Sequence, residues 1–260
     1  MPVAVVATLA ALLANVWLAG GLVQQKRNGS KEHDFWVLCQ PGSTPRQRED
    51  AFRRLVAAGN REWRSADVRG LNLTGISIPG ADLQYARFLK TNLRGANLEG
   101  ALLGRSTFEL ADLTGARLSQ ANLTEARLFQ TLLSGATFRG ASLCAVSLEQ
   151  AQAQNADFEA ADLSDADCKM ANFAGAKLIG ANLSGANLES TILKGANLSL
   201  ARFDGADLTD ADFTDANWWA ARGLTTRQLV LLKQKFPPTT SADPALKEDY
   251  ARWAAVPVPH

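Results

Sequence analysis

The sequence predicts an all-β solenoid, preceded by a membrane-spanning helix and closed at each end by short capping α-helices. Three observations predict it. Between Ala66 and Ala220 the chain keeps a five-residue period without one insertion or deletion. Ahead of that stretch, Val3 to Val23 is a run of 21 residues without a charge. Helix start and stop signals flank the periodic stretch on both sides.

The apolar run reads VAVVATLAALLANVWLAGGLV, with Thr8 and Asn15 as its clearly polar members. As a helix it would reach about 31 Å at 1.5 Å per residue, enough for a hydrocarbon core of about 30 Å. Trp17 would lie toward one interface. No Lys or Arg precedes the run and no clean Ala-x-Ala site follows it, which argues against a cleaved signal peptide and an exported protein. Lys26, Arg27 and Lys31 follow directly. The positive-inside rule then places everything downstream in the cytoplasm, so a single-pass anchor within residues 1–25 is expected. Residues 26–65 are expected to hold a juxtamembrane linker (24–43) and an N-terminal cap helix.

In that helix Thr44 is the N-cap, Pro45 the first turn and Gln47 the capping-box partner. Ala51, Phe52, Leu55 and Val56 form its apolar stripe, Gly59 ends it, and Trp63 is placed to plug the first coil.

The repeat occupies 66–220. Stepping by five from Val68 to Trp218 gives 31 central apolar positions, Leu in 19 and Phe in seven. Two residues earlier stands Ala in 24 of the 31, so small and large residues alternate on one side of the chain. Period five suits neither a helix at 3.6 nor a strand at two, and describes a coil that turns a corner every five residues. Coils would stack about 4.8 Å apart through strand-like hydrogen bonds. Stretches such as ANLSGANLES at 181–190 and ADLTDADFTD at 206–215 closely resemble the pentapeptide-repeat family, whose motif is A-[DN]-L-x-x. The resemblance covers 155 of the 260 residues. It implies a right-handed quadrilateral β-helix with four units per coil, here nearly eight coils and about 37 Å long at the strand spacing. Residues twenty apart would stack, placing Phe88 under Phe108 and Phe138 under Phe158.

After the repeat, residues 221–260 are expected to form a C-terminal cap helix and tail. Thr225 or Thr226 opens a helix through Lys235, with Leu229, Val230 and Leu232 apolar, and Pro237-Pro238 ends it. Residues 237–242 read as a linker, and Asp243 to about Trp253 as a further short helix.

No catalytic constellation is present, and a non-enzymatic protein is expected. Two histidines, His33 and His260, exclude most histidine-based metal and catalytic sites. Three widely spaced cysteines, Cys39, Cys144 and Cys168, exclude a disulfide scaffold. Cys168 falls at an inward position as a small apolar filler, and Cys144 faces outward without a nearby base. Asp162, Asp165 and Asp167 lack the Gly and distal Glu of a calcium loop. No cofactor, metal, nucleic acid or small-molecule substrate is expected.

Two surface features stand out instead. On the face holding Phe88 and Phe108, outward positions carry Leu89, Leu110, Phe129 and Met170, where most units carry small or polar residues. Tyr85 occupies the neighbouring corner, with Arg87, Lys90 and Arg127 flanking, and together they form a candidate protein-binding patch. The second feature is charge. The overall balance of +1 divides into +4 for 1–65, −6 for the repeat and +3 for 221–260. Inside the repeat, 66–145 carries +2 and 146–220 carries −8. Asp162, Asp165, Asp167, Asp207, Asp210, Asp212 and Asp215 make the latter a candidate acidic surface. Some pentapeptide-repeat proteins are DNA mimics that bind and protect DNA gyrase, and the acidic half is similar in kind. The basic first half and the anchor depart from that pattern. The favoured expectation is a membrane-tethered interaction scaffold for a protein partner, membrane-associated and on the cytoplasmic side. The alternative is a gyrase regulator.

Overall fold

The computed structural model describes residues 42–256 together with 34, 37, 38 and 40. The expected anchor at 3–23, His33, Cys39 and His260 lie outside the described residues. No helix among the described residues is long and apolar enough to cross a membrane.

The chain winds into a four-sided solenoid. Parallel bridges join residue i to residue i+20, from Glu62↔Asp82 through Ile192↔Asp212 to Arg202↔Arg222. Four five-residue units therefore make one coil. The pairing extends beyond 66–220 at both ends, to Glu62 and Arg222, because Trp63 fills one more central position and Ala221-Arg222 continue the last coil. Among the described residues no continuous strand forms. Each unit contributes one bridge before the chain turns, so the β-structure consists of single rungs.

The hydrogen bonds explain the motif position by position. The central N–H donates to the next coil, as Leu83 N does to Leu102 O at 2.7 Å. The second-position N–H donates back, as Leu102 N does to Ala81 O at 2.9 Å. The fifth-position N–H also donates forward, Tyr85 N to Gly104 O at 3.1 Å, and the first-position N–H closes the turn, Ala86 N to Leu83 O at 3.0 Å. Only the fourth N–H lacks a backbone acceptor. The second-position Asp or Asn supplies one: Asp112 Oδ1 accepts from Thr114 N at 2.9 Å, and Asn122 Oδ1 from Thr124 N at 3.0 Å. Backbone donors thus find partners throughout such a unit, and the [DN] of the motif is a turn-forming residue.

Every fifth position from 65 to 215 has positive φ, as the third residue of a type II turn requires. Eighteen of these 31 residues are not glycine, so the stacked coils hold side chains in a left-handed conformation that isolated chains avoid.

First and central side chains fill one continuous core. Phe88 stacks on Phe108 with centroids 4.4 Å apart, and Phe138 on Phe158 at 4.8 Å. Thr91, Thr131 and Thr191 replace the small alanine and remain buried because each hydroxyl donates to a turn carbonyl, of Val68, Phe108 and Cys168 respectively, at 2.8 Å.

Helix α1 (Pro45–Ala57) covers the first coil. Its capping box joins Thr44 and Gln47, and buried Phe52 meets Trp63 with ring centroids 4.1 Å apart. The other end is closed by a 3₁₀ turn (Trp218–Ala220), α2 (Thr226–Lys235, capping box Thr225 with Gln228) and α3 (Pro244–Ala254, capped by Asp243). Trp218, Trp219, Tyr250 and Trp253 pack edge to face at 5.0–6.1 Å across the last coil. Trp218 Nε1 donates to Phe236 O and Trp219 Nε1 to Asp249 Oδ2. One outcome refines the sequence reading and one corrects it. Val230 is 44% exposed, since Leu232 and Leu229 turn toward the core instead. Residues 237–242 are no free linker, because Asp215 accepts from both the Thr239 N–H and its hydroxyl.

Candidate functional site

Face one carries the central residues Phe88 and Phe108, face two Leu93 and Leu113, face three Leu98 and Leu118, face four Leu83 and Leu103. The expected patch residues lie on or beside face one in three separate columns. Leu89 and Phe129 share the fourth-position column, half-buried, with Glu109 between them. Arg127 pairs with that Glu109 at 2.7 Å, and Arg87 lies 3.9 Å from Asp67. Leu110 and Met170 stand on the ridge between faces one and two, 44% and 51% exposed, with Gln130 and Gln150 between them. Tyr85 is on the opposite edge of face one. There the Arg64 guanidinium lies 5.1 Å from its ring centroid, and Arg105 reaches its hydroxyl at 3.5 Å. The patch is thus two apolar columns with a separate Tyr85–Arg105–Glu125 ladder.

That ladder borders a shallow depression of about 230 Å³, lined by Gln84, Leu102 and Gly104 among others. Arg105 grips Glu125 through its Nε and Nη2 at 2.9 and 3.1 Å and holds its carboxyl below the usual range. Exposed apolar residues of the repeat that escaped the sequence reading include Leu200, at a turn corner, and Leu102, Leu132 and Ile192, exposed by 42%, 43% and 38%. Leu102, Leu132 and Ile192 occupy the second position, where the motif calls for Asp or Asn, and that substitution was the available signal.

The acidic residues divide by role. Asp162, Asp167, Asp207 and Asp212 are second-position turn formers whose Oδ1 accepts the N–H two residues on. Asp162 and Asp167 also accept from Asn182 and Asn187 one coil away. Thr209 hydrogen bonds hold the Asp207 carboxyl below its usual range. Asp215 is engaged by Thr239, which leaves Asp165 and Asp210 as corner carboxylates pointing outward on different edges. The acidic half is therefore a band around the rod rather than one face. Burial pushes the Cys168 thiol up, consistent with a filler, and Cys144 is half-buried.

The family model for pentapeptide repeats matches in eight copies, within residues 64–100, 91–128, 121–159, 145–180, 156–195 and 181–217. The chain belongs to the pentapeptide-repeat family. With the family comes the right-handed β-helix. Among solved pentapeptide-repeat structures, HetL, involved in heterocyst differentiation regulation in the cyanobacterium Nostoc, is 32% identical. That match covers 66% of this chain and 95% of HetL at a TM-score of 0.32. A pentapeptide-repeat protein of the Arabidopsis thaliana thylakoid lumen is 30% identical, covering 51% and 82% at 0.31. QnrB1, a plasmid-mediated fluoroquinolone resistance protein, is 20% identical, covering 73% and 98% at 0.36. Curated proteins give no match to the chain.

Proposed function

We propose that this pentapeptide-repeat protein is a non-enzymatic scaffold, tethered to the membrane through residues 3–23, whose rod presents flat faces to a protein partner on the cytoplasmic side. The observation that carries this reading is the set of apolar side chains at outward positions, Leu89, Leu110, Phe129 and Met170. They sit on a backbone whose turns hold them in fixed register. Half-buried at Leu89 and Phe129 and exposed at Leu110 and Met170, these side chains lie outside the core, and in a fixed array they suit a partner's apolar surface. Arg87 and Arg127 border the array and add charge selectivity. Tethering raises the local concentration for a membrane-associated partner, which suits a small surface of modest affinity.

The test is retrieval of the full chain from detergent-solubilised membranes, beside a Leu89→Glu, Phe129→Glu variant. Stoichiometric partners lost from the variant support the proposal; an identical partner set with both proteins contradicts it. The −8 charge of residues 146–220 favours a second reading, regulation or protection of gyrase by DNA mimicry. A supercoiling assay decides it: unchanged gyrase activity and drug sensitivity at micromolar protein removes this reading.

A further inference from the structure

The solenoid ends unevenly. After Arg222 the chain leaves the coil, so residues 226–230, which would be the next unit on face one, begin α2 instead. The other faces of the last coil are closed. Arg222 adds a rung beyond Arg202 on face four, Tyr250 and Trp253 cover Trp218 on face three, and on face two Phe236 meets Phe213 while Thr239 binds Asp215. Face one differs. Among the described residues, Leu208 is the one central residue of the repeat that is not buried. Its N–H and that of Asp210 stand where other units donate to the following coil, and they find no acceptor among the described residues. The third ladder group, the Ala206 carbonyl, accepts a long 3.4 Å bond from Gln228 Nε2. One turn beyond Gln228, on the same flank of α2, Leu231 is 47% exposed.

From this we propose that the edge at residues 206–210 takes up an extended segment of a protein partner as one further parallel rung, and that the segment reads small–basic–apolar–x–basic. The register follows from the rod's own ladder. Leu83 N donates to Leu102 O and Tyr85 N to Gly104 O; likewise Leu208 N donates to the carbonyl of the incoming second residue and Asp210 N to that of the fourth. The incoming second N–H replaces Gln228 at Ala206 O, as Leu102 N binds Ala81 O. Inward, the first and third incoming residues stack on Ala206 and Leu208, which calls for a small and then a larger apolar side chain. Outward, the second and fifth stack on Asp207 and Asp210, both exposed. Thr209 engages Oδ1 of Asp207, which leaves Oδ2 for a partner. The rod itself shows which charge suits these columns. Arg87 follows Asp67 by one coil in the same second-position column, 3.9 Å away, and Arg105 pairs with Glu125 across one coil at a corner. Lys or Arg at both outward positions therefore complements the edge, whereas a carboxylate there would face its like. Main-chain pairing supplies affinity and the alternating side chains supply selectivity, as in strand addition to any open sheet edge.

The probe is the peptide Gly-Ala-Arg-Leu-Thr-Lys-Gly-amide, labelled at its N-terminus and titrated to about 1 mM against the full chain in detergent. Saturable binding is expected, with hydrogen exchange slowed at the Leu208 and Asp210 amides and unchanged at Leu148 on the same face. N-methylation of the peptide's arginine removes the donor to Ala206 O and should weaken binding at least about tenfold. Asp207→Asn with Asp210→Asn keeps a turn acceptor at 207 and a residue tolerant of the left-handed corner at 210. That variant should hold its melting temperature while affinity falls about fivefold at low salt, a split that misfolding would not produce. No saturable binding up to about 1 mM overturns the proposal, as does binding that leaves the Leu208 and Asp210 amides unprotected or survives N-methylation. Neither outcome touches the Leu89 and Phe129 surface, which the membrane retrieval tests separately.

Discussion

At the scale of single residues, the fold depends on what each of five positions does with its backbone. Gly195 (φ 65°) and Leu200 (φ 62°) occupy the same turn position with and without a side chain. No neighbour would meet a Cβ at Gly195, so a substitution there acts through backbone conformation alone. Gly195→Ala should destabilise by about 1 kcal/mol, the lower end of the left-handed penalty. Leu200, 52% exposed, packs little, and Leu200→Gly should be neutral or stabilising by up to about 1 kcal/mol, since relief of that penalty outweighs glycine's added chain entropy. Urea melts of the two variants read both signs. The first and central positions were legible in the sequence because burial imposes a strict small–large alternation. The second position was legible as polar but not as a hydrogen-bond acceptor. Its role emerges only when the donors are accounted for, which is why Leu102, Leu132 and Ile192 passed unnoticed.

At the scale of elements, each end of the rod is closed by a helix whose start the sequence announced. Thr44 with Gln47 forms the expected box, and Thr225, one of the two expected starts, forms a second box with Gln228, local patterns that need no tertiary information. The aromatic plug was not legible, because Trp218 and Trp253 meet only when α3 folds back across the last coil. Trp218 is fully buried and makes ring contacts with three partners, so Trp218→Ala should cost about 3–5 kcal/mol, the range for a truncated core aromatic. Loss is expected to begin at the C-terminal coils, since each coil of a solenoid is supported by its neighbours. Hydrogen exchange resolved by peptide should show accelerated exchange at 198–222 while 88–138 stays protected.

At the scale of the whole molecule, the near-neutral chain folds into a rod with a slightly basic first half and a strongly acidic second half. Several of its carboxylates are held below their usual range. Burial would raise Asp67, but the Arg69 guanidinium and N–H outweigh it. Burial likewise opposes Asp112, where Thr114 and Arg94 prevail. Groups depressed in this way stabilise the fold above the unfolded carboxylate pKa, near 4, and that contribution is lost as pH falls through their folded values. The melting temperature should be flat from about pH 5 to 8 and fall below about pH 4, as thermal scans across pH would register.

Whether the outward apolar columns recognise a protein is decided most directly by face-resolved photo-crosslinking in living cells. A photoreactive residue is placed at Phe129 in one full-length protein and at Ser119, on face three, in another. Discrete higher-mass adducts from position 129 and none from position 119 are expected. Equal labelling from both positions, or no adduct from either, would contradict a recognition face on this rod.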